Sequence, residues 1–187
     1  PLSASRKLPD PESYADQEWI TATYTVDGQT VHALVHNEFQ GNWKSHEVCA
    51  TRDYFKCWMN TVTYARSDDG GATFSAPNPL DHLVASLPQP YHPDEGIYGL
   101  FSPSNIIKRD GFYYAYLKAQ TYPLELQHVC LMRTRTLDDP NSWRFWDGRG
   151  FEGAFVDPYR DDPEVVKRTP NCAPIALPQI AQMYEGV

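Results

Sequence analysis

The stretch Ser67-Asp68-Asp69-Gly70-Gly71-Ala72-Thr73-Phe74 decides the fold expected for this chain. Aspartate and glycine favour a tight turn, serine and threonine hydroxyls bond the backbone of such turns, and the aromatic residue can pack beneath. The preceding residues 61–67 are rich in β-branched and aromatic side chains, which are typical of a strand. The pattern therefore predicts a hairpin that joins two strands.

Further turn signals show that this hairpin belongs to a repeat. Asp27-Gly28 separates the strand-like runs 19–25 and 30–35, and Asp110-Gly111 separates two similar runs. An Asp-Gly pair between two β-rich runs is a strong hairpin signal. Each of these hairpins is then followed by a third strand, an acidic turn and an aromatic fourth strand. The equivalent positions are Arg66 and Arg133, Ser67 and Thr134, and Phe74 and Trp143.

The repeat predicts an all-β fold, and because residues 67–74 resemble the Asp-box turn of β-propeller blades, that resemblance implies part of a β-propeller. One blade is expected over residues 14–80, a second over 98–150, and the start of a third over 170–187. A propeller typically closes with about four to eight blades. We therefore expect the ring to be completed by further blades of the full-length protein or by another chain.

Composition excludes several classes of partner. The formal net charge is -8 and no lysine or arginine run is present, which argues against nucleic acid or an anionic membrane as partner. No apolar run approaches the roughly 18 residues of a membrane span. With 12 Tyr, 5 Trp and many hydroxyl and amide groups, the chain suits an oligosaccharide or polysaccharide partner.

The four cysteines bear on compartment. Cys49 and Cys57 flank one loop and would close it as a disulfide in an exported protein, or remain free in a reducing compartment. Cys130 lies in an apolar strand, where a buried unpaired side chain is expected. The spacing lacks the Cys-x-x-Cys pairs typical of structural zinc sites. We expect an extracellular or periplasmic protein.

Propeller geometry predicts where a site would lie. Inner strands begin and second strands end on the same face, so polar residues at those positions should converge. In the first unit these are Asp16 and then His36, Asn37 and Glu38. Trp43, in the loop after the second strand, is placed to stack on a sugar ring. The corresponding positions of the second and third units are Ser102, Ser104, Asn105, Lys118, Gln120 and Asn171.

Residues 67–74 resemble the Asp-box of sialidases and other β-propellers. The two units together are similar to the five-bladed propeller glycoside hydrolases, the clan of invertase-like, levansucrase-like and arabinanase-like enzymes. That resemblance covers most of residues 14–187 and implies three carboxylates. Asp16 occupies the position of the nucleophile or base. Phe101-Ser102-Pro103 replaces an Arg-Asp-Pro that holds the transition state, and Asn171-Cys172 replaces the general acid Glu with its following Cys.

Two expected carboxylates are thus absent, and glycoside hydrolysis normally needs an acid and a second carboxylate. We predict that Glu38 and Asp16 act as the carboxylates and that His36 tunes Glu38, because alternation places His36 and Glu38 on one side of their strand. A noncatalytic glycan-binding propeller or a structural protein-interaction propeller remain alternatives. Sialidase activity is disfavoured, since only Arg66 and Arg133 recur where an arginine triad is required.

No cofactor motif is present in the sequence. The channel of a propeller of this kind is suited to a structural calcium or sodium ion, but the sequence assigns no ligands to one.

Overall fold

The computed structural model describes residues 5–77, 81–121 and 127–175. These residues form ten strands. The first four are β1 (Gln17–Thr25), β2 (Val31–Gln40), β3 (Cys57–Ser67) and β4 (Leu83–Ala85). The others are β5 (Gly96–Phe101), β6 (Ile107–Arg109), β7 (Phe112–Gln120), β8 (Gln127–Thr134), β9 (Arg144–Phe145) and β10 (Gly153–Ala154).

Helix is scarce in the described residues. One short α-helix, α1, covers Pro163–Arg168 and begins at Asp162, whose side chain accepts a hydrogen bond from the Glu164 N–H. The 3₁₀ turns are Pro11–Ser13, Gly41–Trp43, Tyr54–Lys56 and Pro140–Ser142. None of the helices in this part of the chain is long and apolar enough to cross a membrane.

All ten strands belong to one sheet, with the order β1-β2-β3-β5-β7-β8-β9-β10, while β4 pairs with β3 and β6 with β7. Every pair is antiparallel except β3 with β5, which run parallel from Cys57 to Asn60. The all-β class is therefore confirmed for the described residues, in which two antiparallel units follow one another along the chain. The blade boundaries at 14–80, 98–150 and 170–187 stay a prediction, and residues 176–187 lie outside the described residues.

The turn after β3 is held by side chains of the motif itself. Ser67 Oγ donates to Asp69 Oδ1 at 2.6 Å and accepts the Gly71 N–H at 2.8 Å. The carboxylate of Asp69 also accepts the N–H and the hydroxyl of Thr73. These bonds, that of Ser67 above all, lower the pKa of Asp69 from its usual 3.8 to about 2. Beyond the turn, Ser75 pairs with Arg66 at the fourth strand position.

A single large apolar cluster runs through both units, from Leu34 and Phe39 of β2 to Leu117 of β7 and Trp143 before β9. Disulfide Cys49–Cys57 closes the loop between β2 and β3. The expectation that Cys130 is an unpaired hydrophobe was wrong. Cys130 is buried, but it forms a disulfide with Cys172, because the chain after α1 returns along β8, where the Ile175 N–H bonds the Val129 carbonyl.

The parallel contact between β3 and β5 depends on a glycine. Gly99 adopts a φ of +127°, and a Cβ there would collide with the backbone of Asn60. Gly28 also has a positive φ, +76°, but its missing Cβ would meet no atom within 4 Å. Substituting each glycine in turn therefore separates two destabilising effects. Gly28 reports the strain of a positive φ alone, whereas Gly99 reports that strain together with a steric collision.

Gly99→Ala is expected to lower the free energy of unfolding by about 3 kcal/mol or more, since strain at positive φ and a backbone collision add together. Gly28→Ala should cost only about 1 kcal/mol, because the strain acts alone. Urea unfolding of both variants gives the two values. Equal losses would contradict the importance of the Gly99–Asn60 contact.

Asp69→Ala should lower the melting temperature by a few degrees at pH 7. Because the pKa of Asp69 is depressed in the folded protein, the stabilisation is full above about pH 4 and disappears as the pH falls through about 2. Thermal melts of wild type and variant should therefore converge on acidification. Asp68→Ala, which removes an exposed carboxylate paired with Arg66, is the matched control, and an equal pH-dependent gap there would refute the assignment.

Candidate functional site

The polar ends of β2 and β3 meet on one face of the sheet. His36 lies opposite Val62, Glu38 opposite Asn60, and Gln40 opposite Trp58. Residues directly opposite in an antiparallel pair project from the same face. This face, which carries His36, Glu38 and Gln40, is called the Glu38 face below.

Aromatic rings line the Glu38 face on several sides. His36 lies 5.9 Å from Trp19 and 6.3 Å from Phe101, measured between ring centroids. Trp58 lies 6.0 Å from Phe101 and 4.7 Å from Tyr54. Trp19 is 45% exposed, whereas Phe101 is buried. Trp19, Tyr54, Trp58 and Phe101 together are called the aromatic band.

The tautomer of His36 follows from its contacts. The backbone N–H of Ser102 donates to Nδ1 at 2.8 Å, and Nε2 lies 3.0 Å from Glu38 Oε1. A backbone N–H can only donate, so Nδ1 presents its lone pair and Nε2 carries the proton. His36 therefore donates a hydrogen bond to Glu38.

The Glu38 carboxylate is anchored at both oxygens and still reaches the surface. Oε1 accepts from His36, Oε2 accepts from the Gln40 amide at 2.6 Å, and the side chain is 14% exposed. In the described part of the chain no lysine or arginine forms an ion pair with it. Partial burial and the charge of Glu38 raise the pKa of Tyr54, which places the tyrosine hydroxyl in the field of this carboxylate.

Asp16 has a different environment. It is 2% exposed, its Oδ1 lies 2.6 Å from Lys44 Nζ, and its Oδ2 accepts the Gln40 N–H. Its own N–H bonds Asn37 Oδ1, and the Asn37 amide donates to Thr61. Asn37 alternates with Glu38 along β2 and so projects from the opposite face. Asp16 is thus connected to Glu38 through Gln40, but both oxygens of the Asp16 carboxylate are occupied.

Ser102 and Lys118 are brought to the Glu38 face. Ser102 follows β5, and its hydroxyl lies 3.1 Å from His36 Nδ1. Lys118 lies opposite Phe101 in the β5–β7 pair, and its Nζ stands 5.2 Å from the centre of that ring.

The other residues expected at the site are placed differently. Ser104 is buried and bonds the Asn105 carbonyl and the Tyr116 N–H, and Gln120 is buried and bonds the Ile97 carbonyl. Their polar groups therefore form hydrogen bonds with the backbone and are not directed at a ligand. Three are exposed and take part in none of the contacts around Glu38, namely Trp43, Asn105 and Asn171.

Sequence reasoning missed Gln40 and most of the aromatic band. Gln40 continues the alternation that pairs His36 with Glu38, so the period of two along β2 would have found it. No local sequence pattern marked Trp19 or Phe101 as site residues. Trp19 reaches His36 through the β1–β2 pairing, and Phe101 reaches it because β5 is brought alongside β3.

Two groups of potential metal ligands come close together in the described residues. They are His128 with Cys130 and Cys172, and Asp94 with Cys49 and Cys57. In both groups the cysteines are joined in disulfides, and such sulfurs lack the thiolate that a metal ion binds.

No protein-family model matches the sequence, and no curated protein does either. Solved structures to which the chain is similar are glycoside hydrolases. A GH43 β-xylosidase/α-arabinofuranosidase from a compost microbial metagenome, in complex with xylotriose, has 11% identity and a TM-score of 0.42 over 74% of this chain and 36% of that one. A GH43_1 enzyme from Xanthomonas citri, complexed with xylotriose, has 12% identity and a TM-score of 0.41 over 74% and 34%.

A family 117 glycoside hydrolase from Zobellia galactanivorans has 17% identity and a TM-score of 0.43 over 72% of this chain and 41% of that one. The chain thus spans about a third to two fifths of the length of these solved structures.

Proposed function

We propose that the chain is part of a glycoside-hydrolase-like, carbohydrate-active protein that acts on glycosidic bonds of an oligosaccharide or polysaccharide at the Glu38 face. The observation that carries the proposal is the Glu38 carboxylate, which is anchored by His36 and Gln40 on the face that the aromatic band lines. Carboxylates and amides bind sugar hydroxyls, and aromatic rings stack on the apolar C–H faces of sugars.

The contacts of Glu38 favour one role in such a reaction. Both His36 and Gln40 donate to it, so the carboxylate is arranged as an acceptor. A general base or nucleophile needs that arrangement, whereas a general acid must itself donate a proton to the leaving oxygen. We assign Glu38 as the base or nucleophile and His36 as the group that orients it.

The second carboxyl group is the weaker part of the sequence-based assignment. Asp16 would have to release Lys44 and the Gln40 N–H before it could contact a sugar. We therefore propose that Asp16 holds the end of β2 in place and that the acid comes from residues outside this cluster.

A noncatalytic glycan-binding protein is the second candidate. The ion pair of Asp16 with Lys44 favours it, since a single available carboxylate binds a sugar but does not complete the acid and base pair. Both candidates share the same saccharide site on the Glu38 face.

We further propose a five-bladed ring, an Asp-box at residues 67–74 and an exported protein. The hydrogen-bonded turn around Ser67 and Asp69 supports the Asp-box. The two disulfides support export, because disulfides persist in oxidising compartments.

Glu38→Gln keeps the shape of the side chain but removes the carboxylate. It should lower turnover of a cleavable oligosaccharide by roughly 100-fold or more, as expected for loss of a base or nucleophile, and change the Kd only a few-fold. Reducing-sugar release and calorimetric titration with a panel that includes xylotriose measure the two quantities. Glu152→Gln, an exposed carboxylate after β9, is the control.

Unchanged turnover in Glu38→Gln would reject the assigned role. Wild-type protein that binds the panel without cleaving it would establish the noncatalytic candidate instead. Neither binding nor turnover across the panel would overturn the carbohydrate proposal as a whole.

A further inference from the structure

We propose that Ser102, His36 and Glu38 form a nucleophile, base and carboxylate relay that cleaves carboxylic esters. The substrate class is an ester of a small acyl group, as carried by an O-acylated saccharide. This reaction goes beyond the cleavage of glycosidic bonds and does not depend on it.

The three side chains stand in the order that the reaction needs. Ser102 Oγ lies 3.1 Å from His36 Nδ1, and His36 Nε2 lies 3.0 Å from Glu38 Oε1. Nucleophile and base are thus within hydrogen-bond reach, and a third group orients the base, which is the general signature of an activated hydroxyl.

The tautomer of His36 also fits this role. The Nδ1 lone pair accepts the backbone N–H of Ser102 at 2.8 Å and also faces the Ser102 hydroxyl at 3.1 Å, so it can take the hydroxyl proton as the N–H bond is released, while the Nε2 proton is directed at Glu38. When the ring gains a second proton, the Glu38 charge beside Nε2 stabilises the resulting imidazolium. The opposite tautomer would place a proton where the base must accept one.

Ser102 is more accessible to solvent than His36, as a nucleophile and its base require. Ser102 is half-buried at the end of β5, whereas His36 is 5% exposed. The rings of Trp19 and Phe101 both lie near the imidazole, at 5.9 and 6.3 Å between ring centroids. An ester can therefore reach the hydroxyl, while bulk water is kept away from the base.

The reaction balances without any further reagent. Ser102 Oγ bonds to the carbonyl carbon as its proton passes to His36 Nδ1, and the bond from that carbon to the alcohol oxygen then breaks. The alcohol leaves with the proton from Nδ1, and the acyl group remains on Ser102. Water attacks the acyl-serine in the same way, which releases the carboxylic acid and restores the hydroxyl.

The backbone N–H of Ser102 has a second use in this sequence. It now donates to Nδ1 at 2.8 Å, beside the hydroxyl at 3.1 Å. Once Nδ1 is protonated, it no longer accepts, and the N–H is free to bond the oxyanion that forms on the carbonyl. The N–H of the nucleophilic serine serves in this way in the serine protease triad.

Covalent labelling tests the relay directly. An alkyl fluorophosphonate should form one adduct on the purified wild-type protein, located by peptide mass spectrometry at Ser102. Ser102→Ala, which keeps the backbone N–H bond to His36, should abolish the adduct. Ser75→Ala removes an exposed hydroxyl that donates to the Arg66 carbonyl, and this variant should be labelled to the same extent as the wild type. His36→Gln should slow labelling roughly 100-fold or more.

Steady-state hydrolysis of p-nitrophenyl acetate supplies the second readout. Ser102→Ala should lose this activity, and Glu38→Gln should lower kcat while leaving KM nearly unchanged, as expected for a positioning residue. Absence of an adduct at Ser102, or undiminished hydrolysis by a Ser102→Ala protein with a wild-type melting temperature, overturns the proposal. Saccharide binding is measured in a separate experiment. The proposals of ester cleavage and of carbohydrate activity can therefore fail independently of each other.

Discussion

The close approach of Gly99 to the backbone of Asn60 is the constraint on which the arrangement of the site depends. The lack of a Cβ at Gly99 lets β5 run parallel to the start of β3. That pairing joins the two antiparallel units into one sheet, and it carries Ser102, at the end of β5, to the imidazole of His36 on β2. A side chain at position 99 would therefore displace the very segment that fixes the tautomer of His36. Fold and candidate chemistry are coupled through one backbone contact.

Strand alternation then divides the polar residues of β2 between two tasks. His36, Glu38 and Gln40 project from one face, where they meet the aromatic band. Asn37, on the other face, joins Asp16 and Thr61 in a buried network. Gln40 links the two networks, because its amide holds Glu38 while its N–H holds Asp16. The buried network thus fixes the strand end, and the Glu38 face is left to contact a ligand.

Local patterns in the sequence predicted a large part of this structure. The Asp-Gly pairs placed the hairpins β1–β2 and β6–β7, and alternation placed His36 beside Glu38. Features that depend on pairing between distant segments were not accessible in this way. The pairing of β5 with β3 is one such feature, since the two partner segments lie some 40 residues apart in the sequence. The same holds for Cys130, whose partner Cys172 arrives only after α1, and for the contact between Ser102 and His36.

The two proposed reactions make different demands on the same carboxylate. Glycoside cleavage needs a second carboxyl group near the bond, and Asp16, the nearest candidate, is held by Lys44 and the Gln40 N–H. Ester cleavage needs only one carboxylate, provided that it orients a histidine beside a nucleophile. Within the described residues, Ser102, His36 and Glu38 already meet that condition at hydrogen-bond distance. In the proposed ester cleavage Ser102 thus supplies the nucleophilic hydroxyl at a position where the sequence resemblance implied an aspartate.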